Sequence, residues 1–200
     1  MNDSLLDPKI VSRLQVLLLA AANAGDPEPT AMSLATSDGG GRVSVRIVLL
    51  KGVDGRGLRF FTNGDSRKGR QLAANPEVAL AFHWKTLDDG VQVRVEGRVE
   101  TLPEAESDAY FASRPRLSQI GAWASLQSQR LPDRSTFEAR LGEFDLKFSG
   151  GNVPRPPHWG GYLVRPRMVE FWHARANRLH ERECWMRDAH GAWSTRLLYP

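Results

Sequence analysis

Four groups of residues in this chain have the types and spacing to do chemistry, and three of them read as grips for an anion. Arg46 and Lys51 flank an apolar run of Ile47, Val48, Leu49 and Leu50. By the two-residue period of a strand the two cations fall on opposite faces, unless a bulge or the strand's end intervenes. They need anionic partners or exposed ends, because an unpaired buried cation is costly. Marking the ends of a strand buried on both sides would satisfy them equally well. Phe61 and Thr62, followed by Ser66, Arg67 and Lys68 at a helix start, form the second group. Free backbone N–H groups, a hydroxyl and two cations make a phosphate cradle; a capped surface helix uses the same residues. Tyr110, Arg114 and Ser118 form the third. The first two are four apart, on one helix face if the helix reaches that far, with Ser118 in the following turn. Phenol, guanidinium and hydroxyl together suit a phosphate monoester, although an arginine stacked on a tyrosine has the same spacing. The fourth group pairs Glu170 and Trp172 with Arg178, His180 and Arg182. The last three alternate along an expected strand and so share a face, beside a tryptophan able to flank a flat ring. Two phosphate grips in one small chain suggest two phosphorylated aromatic ligands held against each other.

The elements that must carry these groups follow from pattern. Asp7 and Pro8 read as an N-cap and first helical residue, and Ile10, Val11, Leu14, Leu17 and Leu18 give one apolar face. Segments 30–37, 43–51 and 58–62 are strand-like between glycine-rich turns. Ser66 caps a short helix through Leu72. Segments 78–84 and 91–99 form a hairpin, the second strand alternating Val91, Val93 and Val95 with Gln92, Arg94 and Glu96. Capping-box spacing at Thr101 to Glu104 starts a helix running to about Ser113, and the same spacing at Ser135 to Glu138 starts another. Phe137, Leu141, Phe144 and Phe148 form the stripe behind that second helix. Strands return at 161–164, 168–174, 179–187 and 192–199. Short strands with a few helices between them do not make alternating βαβ units. The expected class is mainly β with α, an antiparallel barrel with peripheral helices.

The 200 residues suit a single domain, 1–200, with 1–28 a helix and linker and 29–200 the barrel and its helices. At 41% hydrophobic and 25% charged the composition is that of an ordinary globular protein. No apolar run of ~18 residues offers a membrane span, and the start, Met1 to Ser4, lacks a secretory pattern. Cys184 is the only cysteine, which excludes an intrachain disulfide and fits a reducing cytoplasm. The histidines have no metal-ligand spacing, so no metal is expected. A net charge of +4 admits nucleic acid, but acidic residues lie among the basic ones almost everywhere and no nucleic-acid partner is expected. Arginine is the default cation: only Lys9, Lys51, Lys68, Lys85 and Lys147 depart from it among 27 basic residues, which singles out Lys51 and Lys68 inside patterned segments.

Taken in order, Arg46 to Lys51, Phe60 to Asn63, Ser66 to Lys68, Tyr110 to Arg116, Ser118 to Trp123, Ser125 to Ser128, Pro156 to Gly161, Glu170 to Trp172 and Arg178 to Arg182 closely resemble the pyridoxamine 5′-phosphate oxidase family. The likeness runs from about Pro29 to Pro200. It implies an FMN-binding split β-barrel and a homodimer with active sites at the subunit interface. The implied reaction oxidises pyridoxamine or pyridoxine 5′-phosphate to pyridoxal 5′-phosphate, with dioxygen reduced to hydrogen peroxide. The implied FMN contacts are Arg46, Ile47, Val48, Leu49, Leu50, Lys51, Phe61, Thr62, Arg67, Lys68, Gln92, Gln127, Ser128, Trp172 and Arg182. The implied substrate contacts are Lys51, Tyr110, Arg114, Ser118, Arg178 and His180, the last two also catalytic. Three features depart from the family pattern. The basic, tyrosine-containing segment that often precedes the first helix is absent. Glu183, Cys184 and Trp185 stand where aromatic residues often follow the Arg-Leu-His motif. His173 to Asn177 replaces a linker that more usually contains glycine. Two rivals are an FMN oxidase of the same fold acting on another reduced aromatic, such as a phenazine precursor, and a non-catalytic FMN- or pyridoxal-phosphate-binding protein.

Overall fold

The computed structural model describes residues 6–200, so the start, Met1 to Ser4, read above as lacking a secretory pattern, lies outside the described residues. Nine antiparallel strands and five helices form the described chain. The first helix, α1 (Pro8–Asn23), is capped by the Asp7 carboxylate, which accepts the Lys9 N–H at 2.8 Å. Strands β1 (Ala31–Ser37), β2 (Val43–Leu49), β3 (Gly52–Asp54) and β4 (Gly57–Asn63) follow, then α2 (Arg67–Ala74) and the hairpin of β5 (Glu77–Trp84) and β6 (Val91–Thr101). After α3 (Glu104–Ala112), α4 (Arg116–Ala124) and α5 (Arg134–Lys147) come β7 (Trp159–His173), β8 (Glu181–Arg187) and β9 (Trp193–Leu198).

The sheet path β2-β1-β5-β6-β7-β4-β3 explains the barrel. Its two ends, β2 and β3, are separated in sequence only by Leu50 and Lys51, so the sheet must curl until they meet. The Lys51 N–H donates to the Arg59 carbonyl at 2.7 Å, continuing the β3–β4 ladder up to the seam. Inward-facing Met32, Leu34, Phe60, Leu80, Phe82, Val93, Val95 and Phe171 fill the barrel, and Leu6 with Ile10 and Leu14 of α1 packs against it. A second, smaller core of Phe111, Ile120, Val153 and Trp159 joins the α3–α4 elbow to the start of β7. The expected class, mainly β with peripheral helices, is what the chain adopts.

Several local expectations are corrected. Strand β2 is not buried on both sides: it ends the sheet path, and Val43, Val45 and Ile47 are 69%, 66% and 61% exposed. Thr101 does not cap α3, because its backbone belongs to β6, opposite Tyr162; Pro103 takes the cap position without a side-chain bond. Asp133, not Ser135, caps α5, accepting the Thr136 N–H at 2.7 Å. Ser118, placed in the turn after α3, lies instead inside a further helix, α4, which Pro115 starts by occupying its N-cap. Segments 161–164 and 168–174 are one long strand with a bulge opposite Glu96 and Gly97. Finally, β8 begins at Glu181, so Arg178 is not on a strand.

Candidate active site

A cleft of about 750 Å³ opens over the barrel seam, walled by Ile47, Val48 and Leu49 of β2 on one side and Phe61, Thr62 and Asn63 of β4 on the other. Lys51 stands at the turn between them, Lys68 enters from α2, and Tyr110, Arg114 and Ser118 enter from the α3–α4 elbow. Three groups scattered over some 70 residues of sequence thus meet in one cavity, as two phosphate grips facing each other require.

The cradle at α2 is built by close backbone approach. Ser66 accepts the Gly69 N–H at 3.2 Å and itself donates to the Asn63 carbonyl at 2.7 Å. Gly69 must lack a side chain, because a Cβ there would lie 2.0 Å from the Gly64 carbonyl oxygen. Lys68 donates to Gln127 at 2.7 Å, tying the cradle to the loop after α4. Burial, and then the nearby Arg46 charge, lower its pKa to about 8. An ammonium this reluctant to carry its charge gains most from an arriving anion. Arg67, the first residue of α2, is exposed. Arg46 lies behind it, half-buried, donating to the Leu34 carbonyl, Thr36 and Ser44 at 2.9, 2.7 and 2.6 Å. Burial and then Arg67 lower the Arg46 pKa. Leu50 turns its side chain into the core, so only its backbone is open to a ligand.

The opposite grip centres on Arg114. Its guanidinium lies 4.8 Å from the Trp159 ring and 5.5 Å from the Phe111 ring. Its Nη1 is buried with no hydrogen-bond partner, and burial lowers its pKa. A desolvated, unsatisfied guanidinium nitrogen is rare and costly, and an anion in the cleft would satisfy it. Two devices hold it there. Gln119 is buried and donates to the Phe111 and Ala112 carbonyls at 2.9 and 3.3 Å, closing the C-terminus of α3. Phe61 stacks on Tyr110 at 4.0 Å and on Trp159 at 5.4 Å. That stack needs Gly161, where a Cβ would sit 2.6 Å from the Phe61 ring. Trp159 lines the cleft and was missed in sequence, since a lone tryptophan beside two glycines reads as core; Asn63, Ser113 and Ser125 also line it unforeseen. Tyr110 and Arg114 do not share a helix face, because α3 ends at Ala112.

The remaining expected residues do not line this cleft. Gln92, Trp172 and Arg182 stand opposite one another on β6, β7 and β8, a row of three on one face about 10 Å long at ~4.8 Å per strand. Arg182 is engaged by Glu170 at 2.8 and 3.2 Å, a hydrogen-bonded pairing that raises its pKa. His180 packs on Trp172 at 4.5 Å between ring centroids. Its Nδ1 accepts the Arg175 N–H at 3.2 Å, which leaves the ring proton on Nε2. Arg178 is exposed in a single 3-10 turn, Ala176–Arg178, where Asn177 and Arg178 take left-handed φ of 56° and 62°. This turn is the sequence departure noted above: asparagine tolerates the conformation that a glycine adopts freely. Arg178, His180 and Arg182 therefore do not alternate on one strand face. Ser128 is also left-handed, φ 72°, and lines a smaller apolar pocket of about 250 Å³ beside the cleft. Among the described residues, no cluster of histidine, cysteine or carboxylates is arranged to hold a metal, and no helix is long and apolar enough to cross a membrane.

With this geometry in hand, similarity to known proteins is informative. A family model described as pyridoxamine 5′-phosphate oxidase matches residues 18–148. A second, described as the pyridoxine 5′-phosphate oxidase C-terminal dimerisation region, matches residues 159–200. The chain is 50% identical over 196 residues to a pyridoxine/pyridoxamine 5′-phosphate oxidase of Myxococcus xanthus (strain DK1622), covering 98% of this chain and 94% of that protein. It is 56% identical over 173 residues to the protein of that name from Gluconobacter oxydans (strain 621H), covering 86% and 85%. It also resembles the crystal structure of PhzG from Burkholderia lata 383 in complex with tetrahydrophenazine-1-carboxylic acid, with TM-score 0.89, 33% identity and 98% of each chain covered.

Proposed function

Because the chain belongs to the pyridoxamine 5′-phosphate oxidase family, we propose that it oxidises pyridoxamine or pyridoxine 5′-phosphate to pyridoxal 5′-phosphate, using FMN and dioxygen. The observation that carries this reading is Arg114, with its unpartnered, buried Nη1, lining one cleft together with the cationic cradle of Lys68. When bound, FMN supplies the acceptor for the hydride leaving the substrate's C4′ carbon and returns both electrons to dioxygen as hydrogen peroxide.

The residues divide the remaining work. The start of α2, with Ser66, Arg67 and Lys68, suits the FMN phosphate, and Gln127 orients Lys68. Lys51, Tyr110, Arg114 and Ser118 suit the substrate phosphate. Holding that remote group orients the reacting carbon, so its binding energy serves turnover as well as affinity. Arg178 and His180 suit the far face of the substrate, with the His180 Nε2–H donating toward its amine or hydroxyl.

The assembly is a homodimer, and the length of β7 supplies the physical reason. Trp159 and Trp172 bound opposite parts of that strand, about 43 Å apart along its contour at ~3.3 Å per residue. The cleft lies at the first end, and the Gln92–Trp172–Arg182 row at the second. One flavin touching both draws them from two chains. The exposed apolar row of β2 and a C-terminal region of the dimerisation type support such a pairing. A cytoplasmic setting suits the buried free thiol of Cys184.

A phenazine-type oxidase is the second reading, favoured by the likeness to PhzG. The phosphate grip argues against it, since a carboxylated tricycle has no use for Arg114, Tyr110, Ser118 and Lys51 together. An aerobic assay decides among the readings. Pyridoxal 5′-phosphate and peroxide should appear together from the phosphorylated amine or alcohol, and a dihydrophenazine carboxylate should be turned over poorly. Turnover of the phenazine alone would reverse the assignment, and bound yellow flavin without turnover of any substrate would mark a carrier.

A further inference from the structure

Two rows of side chains share the outer face of β6, β7 and β8. Behind the row of Gln92, Trp172 and Arg182 lies a second, Arg94, Glu170 and Cys184, in the same register. Glu170 at its centre is 3% exposed yet fully engaged: Arg182 Nε and Nη2 donate to its two oxygens at 2.8 and 3.2 Å, and Arg94 Nη1 donates at 3.0 Å. The third nitrogen of Arg182, Nη1, donates to the Tyr199 carbonyl at 3.1 Å.

Donor arithmetic shows what this leaves. A guanidinium has five N–H groups in one plane. Three are spent on Glu170 and Tyr199, so one remains on Nη1 and one on Nη2, in a plane that the carboxylate fork fixes. A free arginine side chain samples many rotamers and loses that freedom when it binds; this one has lost it beforehand. A buried ion pair is weak evidence for stability, because a packed apolar pair serves the fold as well. Burying a carboxylate between two arginines therefore asks for another reason, and the adjacent row provides it.

We propose that Glu170 is a positioning residue for the flavin site: it locks the Arg182 guanidinium so that its two unspent N–H groups stand beside Trp172 and Gln92, ready for a planar acceptor. Glu170 touches no ligand itself. The inference rests on the FMN reading given above and adds to it a residue that acts only through Arg182. A counter-charge role makes the opposite prediction. If Glu170 merely diluted the positive charge of Arg182, removing its charge would tighten the binding of anionic FMN.

The test compares the purified dimer with Glu170→Gln, Arg182→Met and the double variant, each stripped of flavin and titrated with FMN, with visible circular dichroism of the bound flavin as a second readout. Glu170→Gln should weaken FMN by about 10- to 100-fold and alter the dichroism. The double variant should bind within about twofold of Arg182→Met alone, because Glu170 has nothing left to position. Arg182→Lys keeps the charge but not the fork; it should lose affinity as Arg182→Met does, and it decides the matter should Glu170→Gln not fold. Tighter or unchanged FMN binding in Glu170→Gln, full multiplicativity in the double variant, or wild-type affinity in Arg182→Lys each overturns the proposal. A wild-type protein that refuses FMN defeats the functional reading instead, a separate outcome.

Discussion

Arg114→Met separates a ligand grip from a structural residue, because the two roles predict opposite balances of activity and stability. Methionine keeps the apolar stem against Trp159 and Phe111 and removes only the guanidinium. In the free chain that guanidinium has one buried nitrogen without a partner, so its loss relieves a desolvation cost. Against this stands the loss of two cation–π contacts at 4.8 and 5.5 Å, worth about 0.5–1 kcal/mol each. The two nearly cancel, and the melting temperature should stay within about 3 °C of wild type, where 1 kcal/mol corresponds to roughly 2–4 °C. Catalysis should suffer far more. Two hydrogen bonds to a phosphate at about 1.5–3 kcal/mol each, partly replaced by Lys51 and Ser118, leave a loss near 3–4 kcal/mol. That is roughly 150- to 900-fold in kcat/KM. The assay follows pyridoxal 5′-phosphate formation alongside differential scanning fluorimetry, with pyridoxamine lacking its phosphate as a control that should not distinguish the variants. A loss below about fivefold with the phosphorylated substrate, or a melting temperature lowered by more than about 6 °C, would refute the reasoning.

Other measurements probe the remaining parts of the site. Lys68 has its pKa lowered to about 8 from 10.5, and a phosphate favours its charged form. FMN affinity should therefore hold below about pH 8 and decline above it, by at most about tenfold per pH unit; Lys68→Met should flatten that profile. Without ligand the sign reverses, because the fold favours the neutral amine, and Lys68 adds stability as pH rises from about 8 toward 10.5. Gly69→Ala forces a Cβ to 2.0 Å from a backbone oxygen and should cost about 1–3 kcal/mol, seen as a lower melting temperature and weaker flavin retention. Gln119→Leu removes the side-chain donor to two α3 carbonyls, leaving Phe111 only the Arg114 N–H, and should cost about 1–3 kcal/mol while raising the substrate KM through Arg114. Arg178→Ala should keep the protein yellow but slow turnover severely, and near-normal turnover would remove its proposed role.

The amino-acid sequence by itself determined those features whose cause is local. Asp7 and Pro8 start α1 because a carboxylate beside a residue without an N–H is an N-terminus wherever it falls. Ser66 caps α2 because its hydroxyl accepts the Gly69 N–H three residues on, and the valine alternation of β6 separates a core face from a polar one. Residue type also marked the cleft: Lys51, Thr62, Lys68, Tyr110, Arg114 and Ser118 all line it. What the tertiary structure alone decided depends on partners distant in sequence. Thr101 carries a capping-box pattern but pairs with Tyr162, since a ladder hydrogen bond to β7 outweighs a local cap. The run Ile47 to Leu50 read as part of a strand buried on both sides, yet Ile47 is exposed because, among the described residues, β2 ends the sheet path. Gln92, Trp172 and Arg182 form a row only once β6, β7 and β8 are in register, and no period in the sequence encodes that alignment. Short-range chemistry thus named most of the cleft's groups, while the register of strands some 80 residues apart set which of them could meet within one chain.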